Sequence, residues 1–513
     1  MTRRRRSTLP AVLASAMVLV ATACTDDADP PADAPPYADV PCPLEVSSLV
    51  VGEAVCGYLT VPENRAEPDR TIRLFVVRVP APESAQDAEP IFVAGTDVAD
   101  VPNIAGIAPM AQRTGREVII LDPRGLGHSE PALDCAEVRD LSAPALETAT
   151  DDPVTRDAFL AAVAECHERL TEDGIDVSAY NLTEMAADAE DLRRALDIDT
   201  WNVATFGTAS RISFEMLRLS PEHIRAVLMD SPEWPGVDPR AVAVTGTTDA
   251  LADVLAACAD DAACAAAYPT SVESVTEALE QFDRDPVTVV GGQPPNDGTV
   301  RFDAAMLLRV LRHALTGDSV GGLYLPEAVP SIVAAALAGR TDDLSELAGP
   351  LLGDDPYCAG YQPRCSLDGR TVSAVDYTVL CHDIAPFADP AAPGRLAADR
   401  VGYATAFGRS PYLDLCASWP VGAAAGDIAE AVQSDVPVLA MVGAFNPYVR
   451  PDQAEDGLDG LRSLTLLIDP AGGHNVMPRT DCMLDLRQAF LDDPRQPVAA
   501  DCLEAVSAVW PLP

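Results

Sequence analysis

The amino-acid order predicts an α/β chain: a mostly parallel sheet flanked by helices, with a mainly helical cap inserted into it. Three observations lead there. Short β-rich runs alternate with helical patterns through the first half of the chain. From about Gly236 to Glu430 the pattern turns mostly helical, with proline-rich joints. Two more strand-like runs and a closing helix then follow. Alternating strand and helix favours parallel strands with crossover helices on both faces, and such sheets bind ligands at the carboxyl ends of their strands.

In chain order, Arg3 to Arg6 precede an apolar run from Leu9 to Val20 and then Ala21-Thr22-Ala23-Cys24, the charged, apolar and small-residue order of an export signal. Even extended to Ala23, at roughly 15 residues, that run is short for a membrane span, which needs about 20, and no later stretch is long enough either. Residues 1–23 are therefore expected to be a signal. Cys24 stands where a bacterial lipobox places its lipid-accepting cysteine, although Ala21 sits where leucine is commonest; the other reading is plain cleavage at an Ala-x-Ala site. The expectation is an exported protein at the cell surface or envelope, touching the membrane only through a lipid on Cys24, with secretion as the alternative. Residues 24–41 are Asp-, Ala- and Pro-rich and read as a disordered tether.

The chain has 13 cysteines, and setting Cys24 aside leaves an even number, as suits an oxidising compartment. Neighbours in sequence suggest six couples: Cys42-Cys56, Cys135-Cys166, Cys258-Cys264, Cys358-Cys365, Cys381-Cys416 and Cys482-Cys502. A loop like the first, of about 15 residues, gains roughly 3 kcal/mol on closure by the chain-entropy argument. Paired Cys-x-x-Cys spacing is absent, so zinc is not expected.

Strands are expected at Ile72 to Val79, Ile91 to Ala94, Val118 to Leu121, Trp201 to Phe206, Ala226 to Met229, Val436 to Val442 and Ser463 to Ile468. Helices are expected at Glu184 to Leu196, Val242 to Ala257, Ala304 to Leu315, Ala328 to Ala338, Asp342 to Leu347 and Met483 to Leu491. This divides the chain into a discontinuous core, residues 42–235 and 431–513, around a cap at 236–430. With 35 basic against 79 acidic residues the net charge is -44, which repels polyanions and excludes nucleic acid as a partner. Every basic residue is arginine, so chemistry that needs a lysine amine is ruled out.

Several segments carry a specific resemblance. Cys56-Gly57-Tyr58-Leu59-Thr60-Val61-Pro62, the turn Asp122 to Ser129 of the form Asp-x-Arg-Gly-x-Gly-x-Ser, the helix Ala187 to Leu196, and Cys416-Ala417-Ser418-Trp419-Pro420 appear in that order. Together they resemble the α/β-hydrolase superfamily, in its branch of secreted tripeptidyl aminopeptidases and proline iminopeptidase-like enzymes with a TAP-like C-terminal region. The resemblance implies the α/β-hydrolase fold, no cofactor and a serine nucleophile on a tight strand-to-helix turn.

The catalytic positions implied by that resemblance are altered. The turn expected to read Gly-x-Ser-Tyr-Gly-Thr-Arg is Thr205-Phe206-Gly207-Thr208-Ala209-Ser210-Arg211, with Trp201, Asn202 and Arg211 holding the register. The nucleophile position is thus Gly207, and rescue would have to come from Thr205, Thr208 or Ser210. The acid position, in Gly443-Ala444-Phe445-Asn446-Pro447, is Asn446, a change that lowers turnover by about 10⁴ in a serine protease. The histidine, in Gly472-Gly473-His474, is retained. The oxyanion positions are Gly95 and the backbone N–H of Thr208. The loop carrying the former reads Ala94-Gly95-Thr96-Asp97-Val98-Ala99-Asp100, where two acids oppose a developing anion that one good donor stabilises by about 2.7–4 kcal/mol.

Gly317-Asp318-Ser319-Val320-Gly321 matches Gly-x-Ser-x-Gly by letter, but it follows a helix and not a strand, so it reads as a helix-joining loop. The other histidines, His128, His167, His223, His313 and His382, make no metal-ligand spacing, and no metal is expected. Three functions follow in order of preference. The first is a tethered hydrolase fold that has lost serine chemistry and binds a peptide-like or acyl ligand or a surface protein. The second is an active peptidase or esterase with a non-standard nucleophile. The third is a structural envelope protein.

Overall fold

A computed structural model describes residues 36–43, 54–82, 88–95, 109–145, 147–149, 151–290, 299–317, 325–340, 342–344, 373–400, 402–407 and 414–513. Nine strands form one sheet: β1 (Tyr37–Val40), β2 (Val55–Pro62), β3 (Thr71–Val79), β4 (Ile91–Val93), β5 (Val118–Leu121), β6 (Trp201–Phe206), β7 (Ile224–Asp230), β10 (Val438–Gly443) and β11 (Leu464–Asp469). Their spatial order is β1-β2-β3-β5-β4-β6-β7-β10-β11. β1, β2, β3 and β5 pair antiparallel, and every pair from β5-β4 to β10-β11 is parallel. The parallel strands β6, β7 and β10 are almost wholly buried, as expected where helices cover both faces.

Several helices are capped by residues their sequences supply. Named in order, they are α1 (Ala136–Ala145), α2 (Pro153–Glu172), α3 (Leu182–Ala195), α4 (Ser210–Leu219), α5 (Pro239–Asp260), α6 (Val272–Arg284), α7 (Ala304–Thr316), α8 (Val329–Leu337) and α9 (Asp481–Asp492). Asn181 accepts from the Glu184 N–H at the start of α3, and Asp303 accepts from the Met306 N–H at the start of α7. Gly317 closes α7 in the left-handed region, at φ 81°. The elements from α5 to α8, with the hairpin β8 (Val287–Val290) and β9 (Thr299–Phe302), form a hydrophobic cluster of their own over the sheet's carboxyl edge. Leu307, Leu311 and Leu315 on α7 and Val329 and Val333 on α8 sit at its centre.

The turn Asp122 to Ser129 is a scaffold. Asp122 Oδ2 accepts from the His128 N–H at 2.7 Å, and the Ser129 hydroxyl donates to the Asp122 carbonyl while accepting from Phe75 N–H. Arg124 is fully buried and makes a two-pronged pair with Asp188 on α3, at 2.7 and 2.6 Å. That pair ties the end of β5 to the helix preceding the elbow strand.

Five of the expected disulfides are formed: Cys42-Cys56, Cys135-Cys166, Cys258-Cys264, Cys381-Cys416 and Cys482-Cys502. Cys358-Cys365, Cys24 with the signal, Ser319, and the second half of Asp342 to Leu347 lie outside the described residues. Two expectations need correction. The stretch 24–41, read as an unstructured tether, contains β1: Tyr37 to Val40 pair with Leu59 to Cys56. Backbone pairing needs little apolar side chain, the nearby Cys42-Cys56 bridge clamps the end, and the Tyr37 ring lies over Gly57, where a side chain would collide with it. The helix read as Val242 to Ala257 runs from Pro239 to Asp260, long and apolar enough by composition to cross a membrane. Its Ala243, Val244, Leu251, Val254 and Leu255 are instead buried in the cap cluster, the ordinary role of a core helix.

Candidate functional site

Strand register assembles the site. Phe206 at the end of β6 pairs with Asp230 at the end of β7, which pairs with Met441 on β10, and Gly443 pairs with Asp469 on β11. The segments leaving these four strands therefore emerge side by side: the elbow at Gly207, the turn Asp230-Ser231, the loop holding Asn446 and the loop holding His474.

At the elbow, β6 passes through Gly207 at φ 51°, then one 3-10 turn (Gly207–Ala209), into α4. This is the sharp strand-to-helix turn that presents one residue at its tip. A Cβ built on Gly207 would stand 3.0 Å from His474 Nε2, so the imidazole faces the glycine's hydrogen. Gly95, at φ 77°, brings the end of β4 against the same turn, where a Cβ on it would lie 2.3 Å from the Ala209 methyl. Gly207, Thr208, Gly95 and His474 are thus brought together, whereas Thr96 to Asp100 fall outside the described residues.

Each of the three hydroxyls near the elbow donates to a neighbouring oxygen. Thr205 donates to the Leu228 carbonyl at 3.5 Å, Thr208 to Glu233 Oε1 at 3.3 Å, and Ser210 to the Gly207 carbonyl at 2.7 Å. His474 Nε2 is buried and has no hydrogen-bond partner among the described residues.

The histidine side is densely bonded. His474 Nδ1 lies 3.2 Å from Asn446 Oδ1, which also accepts from Tyr448 N–H at 2.9 Å and Val449 N–H at 3.0 Å. Two backbone donors fix that oxygen as the acceptor, so the proton on the ring sits at Nδ1 and Nε2 carries a lone pair. Asn446 Nδ2 donates to Ser231 Oγ at 2.9 Å, and Ser231 in turn donates to the His474 carbonyl. Ser231 holds φ 50°, unusual outside glycine. Asp230 accepts from Val476 N–H and from Met477 N–H, the latter at 2.8 Å, anchoring the loop beyond His474. Burial pushes the His474 imidazole down to about 3, so it is neutral across the physiological range. Phe206 and Tyr448 flank the ring, with centroids 5.0 and 4.9 Å from it.

Sequence reasoning missed Asp230, Ser231 and Glu233. Glu233 is buried behind the elbow against Arg211 and Thr208, and burial raises its carboxyl above the usual range. The signal was the Asp230-Ser231-Pro232-Glu233 segment at the carboxyl end of a buried strand, which is where open α/β sheets place their site residues.

The family model for the alpha/beta hydrolase fold matches residues 95–247, and that for TAP-like protein matches residues 403–502. The chain has the alpha/beta hydrolase fold, and its C-terminal region is similar to TAP-like protein. Among its relatives, carboxylesterase B of Mycobacterium tuberculosis is 25% identical over 397 residues, covering 72% of this chain and 71% of that one. Serine protease Hip1 of the same organism is 24% identical over 461 residues, covering 85% and 84%. Among solved structures, proline iminopeptidase from Mycobacterium smegmatis aligns over 85% of this chain and 98% of its own, at 14% identity and a TM-score of 0.35.

Proposed function

We propose that this protein has lost serine-hydrolase chemistry and works by holding a peptide-like or acyl ligand, or a surface protein, in the cleft between cap and sheet. The observation that carries the reading is the elbow tip: the imidazole that would activate a nucleophile meets the hydrogen of Gly207. Loss of the nucleophile alone costs about 10⁶ in turnover in a related machinery. Asn446, in the acid position, orients the ring but adds no charge to stabilise an imidazolium. With no serine to engage it, Nε2 is left as an acceptor for a ligand N–H or O–H.

The same proposal places the protein outside the cytoplasm, tethered through a lipid on Cys24; the five bridges fit an oxidising compartment. Mass measurement of the exported N-terminus, beside Cys24→Ala, tests the lipid: a diacylglyceryl mass on the unaltered chain supports it, and a free thiol there refutes it.

Fluorophosphonate labelling tests the loss of chemistry. The unaltered protein is expected to stay unlabelled while the Gly207→Ser, Asn446→Asp double variant labels. Labelling of the unaltered protein would mean that another side chain does the nucleophile's work.

A further inference from the structure

Arg312 is a buried cation beside the histidine loop. It projects from α7, whose last carbonyls, Leu315 and Thr316, accept from the His474 backbone N–H, so the helix is docked on the histidine loop. The Arg312 guanidinium carbon lies 5.7 Å from the Tyr448 ring centroid and 5.4 Å from that of Phe407. Tyr448 is the ring that meets the His474 imidazole edge-on. One aromatic side chain therefore separates Arg312 from the imidazole.

The residue is only 7% exposed, and its Nη1 is buried without a hydrogen-bond partner among the described residues. Among the described residues no carboxylate stands within ion-pair distance of it, although the chain carries 79 acids. Several other buried arginines are paired, Arg124 with Asp188, Arg211 with Glu233 and Arg240 with Asp238, whereas the buried Arg487 likewise has an Nε without a hydrogen-bond partner among the described residues. Ring faces satisfy part of a guanidinium's charge, but they take none of its in-plane N–H groups, which are shaped for a two-oxygen acceptor. The site is electropositive on a second count. Burial first, and then Arg309 and Arg312, push the neighbouring His313 imidazole down to about 4.

We propose that Arg312 anchors a carboxylate on the ligand, so that the cleft takes an anionic acyl or peptidyl molecule whose carboxylate meets the guanidinium and whose donor group meets His474 Nε2. This rests on the ligand-binding reading above and narrows it to one chemical class. A free fatty acid and a peptide C-terminus both offer that carboxylate, and neither is distinguished by the arginine alone.

Binding of two matched fluorescent pairs to the purified mature protein decides it: dansyl-undecanoic acid against its methyl ester, and a dansyl-tripeptide acid against its amide. The acid of at least one pair is expected to bind about tenfold or more tightly than its neutral partner. Arg312→Gln should erase that preference and Arg312→Lys should keep part of it; the pair that discriminates names the source. Equal binding of acid and neutral forms by the unaltered protein overturns the anchor and leaves the ligand-binding reading standing. No binding of any probe up to about 1 mM overturns both. Should Arg312→Gln fail to fold, the acid-to-neutral ratio on the unaltered protein and on Arg312→Lys still separates these outcomes.

Discussion

The two halves of the site have different fates. On the histidine side the polar groups from Asp230 to the imidazole Nδ1 are engaged: Asp230 with the Val476 and Met477 amides, Ser231 with Asn446 and the His474 carbonyl, Asn446 with two amides and the imidazole. On the elbow side the backbone bend persists at φ 51°, yet its tip carries no side chain, and the hydroxyls around it bond elsewhere. The difference separates two kinds of constraint. Buried polar groups that satisfy one another hold loops in place whether or not chemistry occurs, because leaving any of them unpaired is costly. A nucleophile has no such structural duty, and glycine suits the left-handed tip better than serine does.

That contrast sets an order of sensitivities. Asp230→Ala attacks the bonded half by orphaning two buried amides, and should lower stability by about 3 kcal/mol or more in denaturant unfolding. A change under about 1 kcal/mol would mean that the histidine loop does not depend on it. Gly207→Ala attacks the empty half and should cost about 1–2 kcal/mol from the positive φ. It should also move the imidazole by a few tenths of an ångström, since the new methyl would sit 3.0 Å from Nε2. A stabilising Gly207→Ala would show that the elbow is not held in the left-handed region.

Charge sharpens the comparison further. Asn446→Asp places a carboxylate against His474 Nδ1 and should raise the imidazole from about 3 by at least roughly one unit, read by NMR titration. No movement would mean that the carboxylate is itself protonated in the site. The smallest effect is on pH dependence. Because the folded His474 resists a proton that the unfolded chain accepts below its ordinary value of 6.5, the unfolded state binds more protons there. Stability from this residue is complete above that pH and is lost as pH falls toward about 3. His474→Gln should flatten that part of the curve, and an unchanged slope would assign it to other groups, His313 among them.

Much of this was legible in the order of residues. The run Val118 to Leu121 and the segment Trp201 to Phe206 became the strands expected of them, because continuous apolar runs bounded by turn residues suit a sheet buried on both faces. The placement of Gly207 at the elbow and of Asn446 beside His474 could be read because Trp201, Asn202 and Arg211 held the register around one and Gly443 and Pro447 around the other. Tyr37 to Val40 could not be read, since an edge strand in an Asp- and Ala-rich stretch is held by backbone pairing and a bridge and not by its own side chains. Ser231 and Arg312 were hidden for another reason. One is defined by a backbone angle and the other by the lack of an acid beside it, and neither property is visible along a single chain.

The central claim is that the retained imidazole has nothing to activate. Turnover of p-nitrophenyl butyrate by the unaltered protein and by His474→Ala, both shown folded by circular dichroism, tests it most directly. The two rates should coincide at the level of uncatalysed hydrolysis. Turnover by the unaltered protein that disappears in His474→Ala would contradict the account, because the histidine would then be serving a nucleophile.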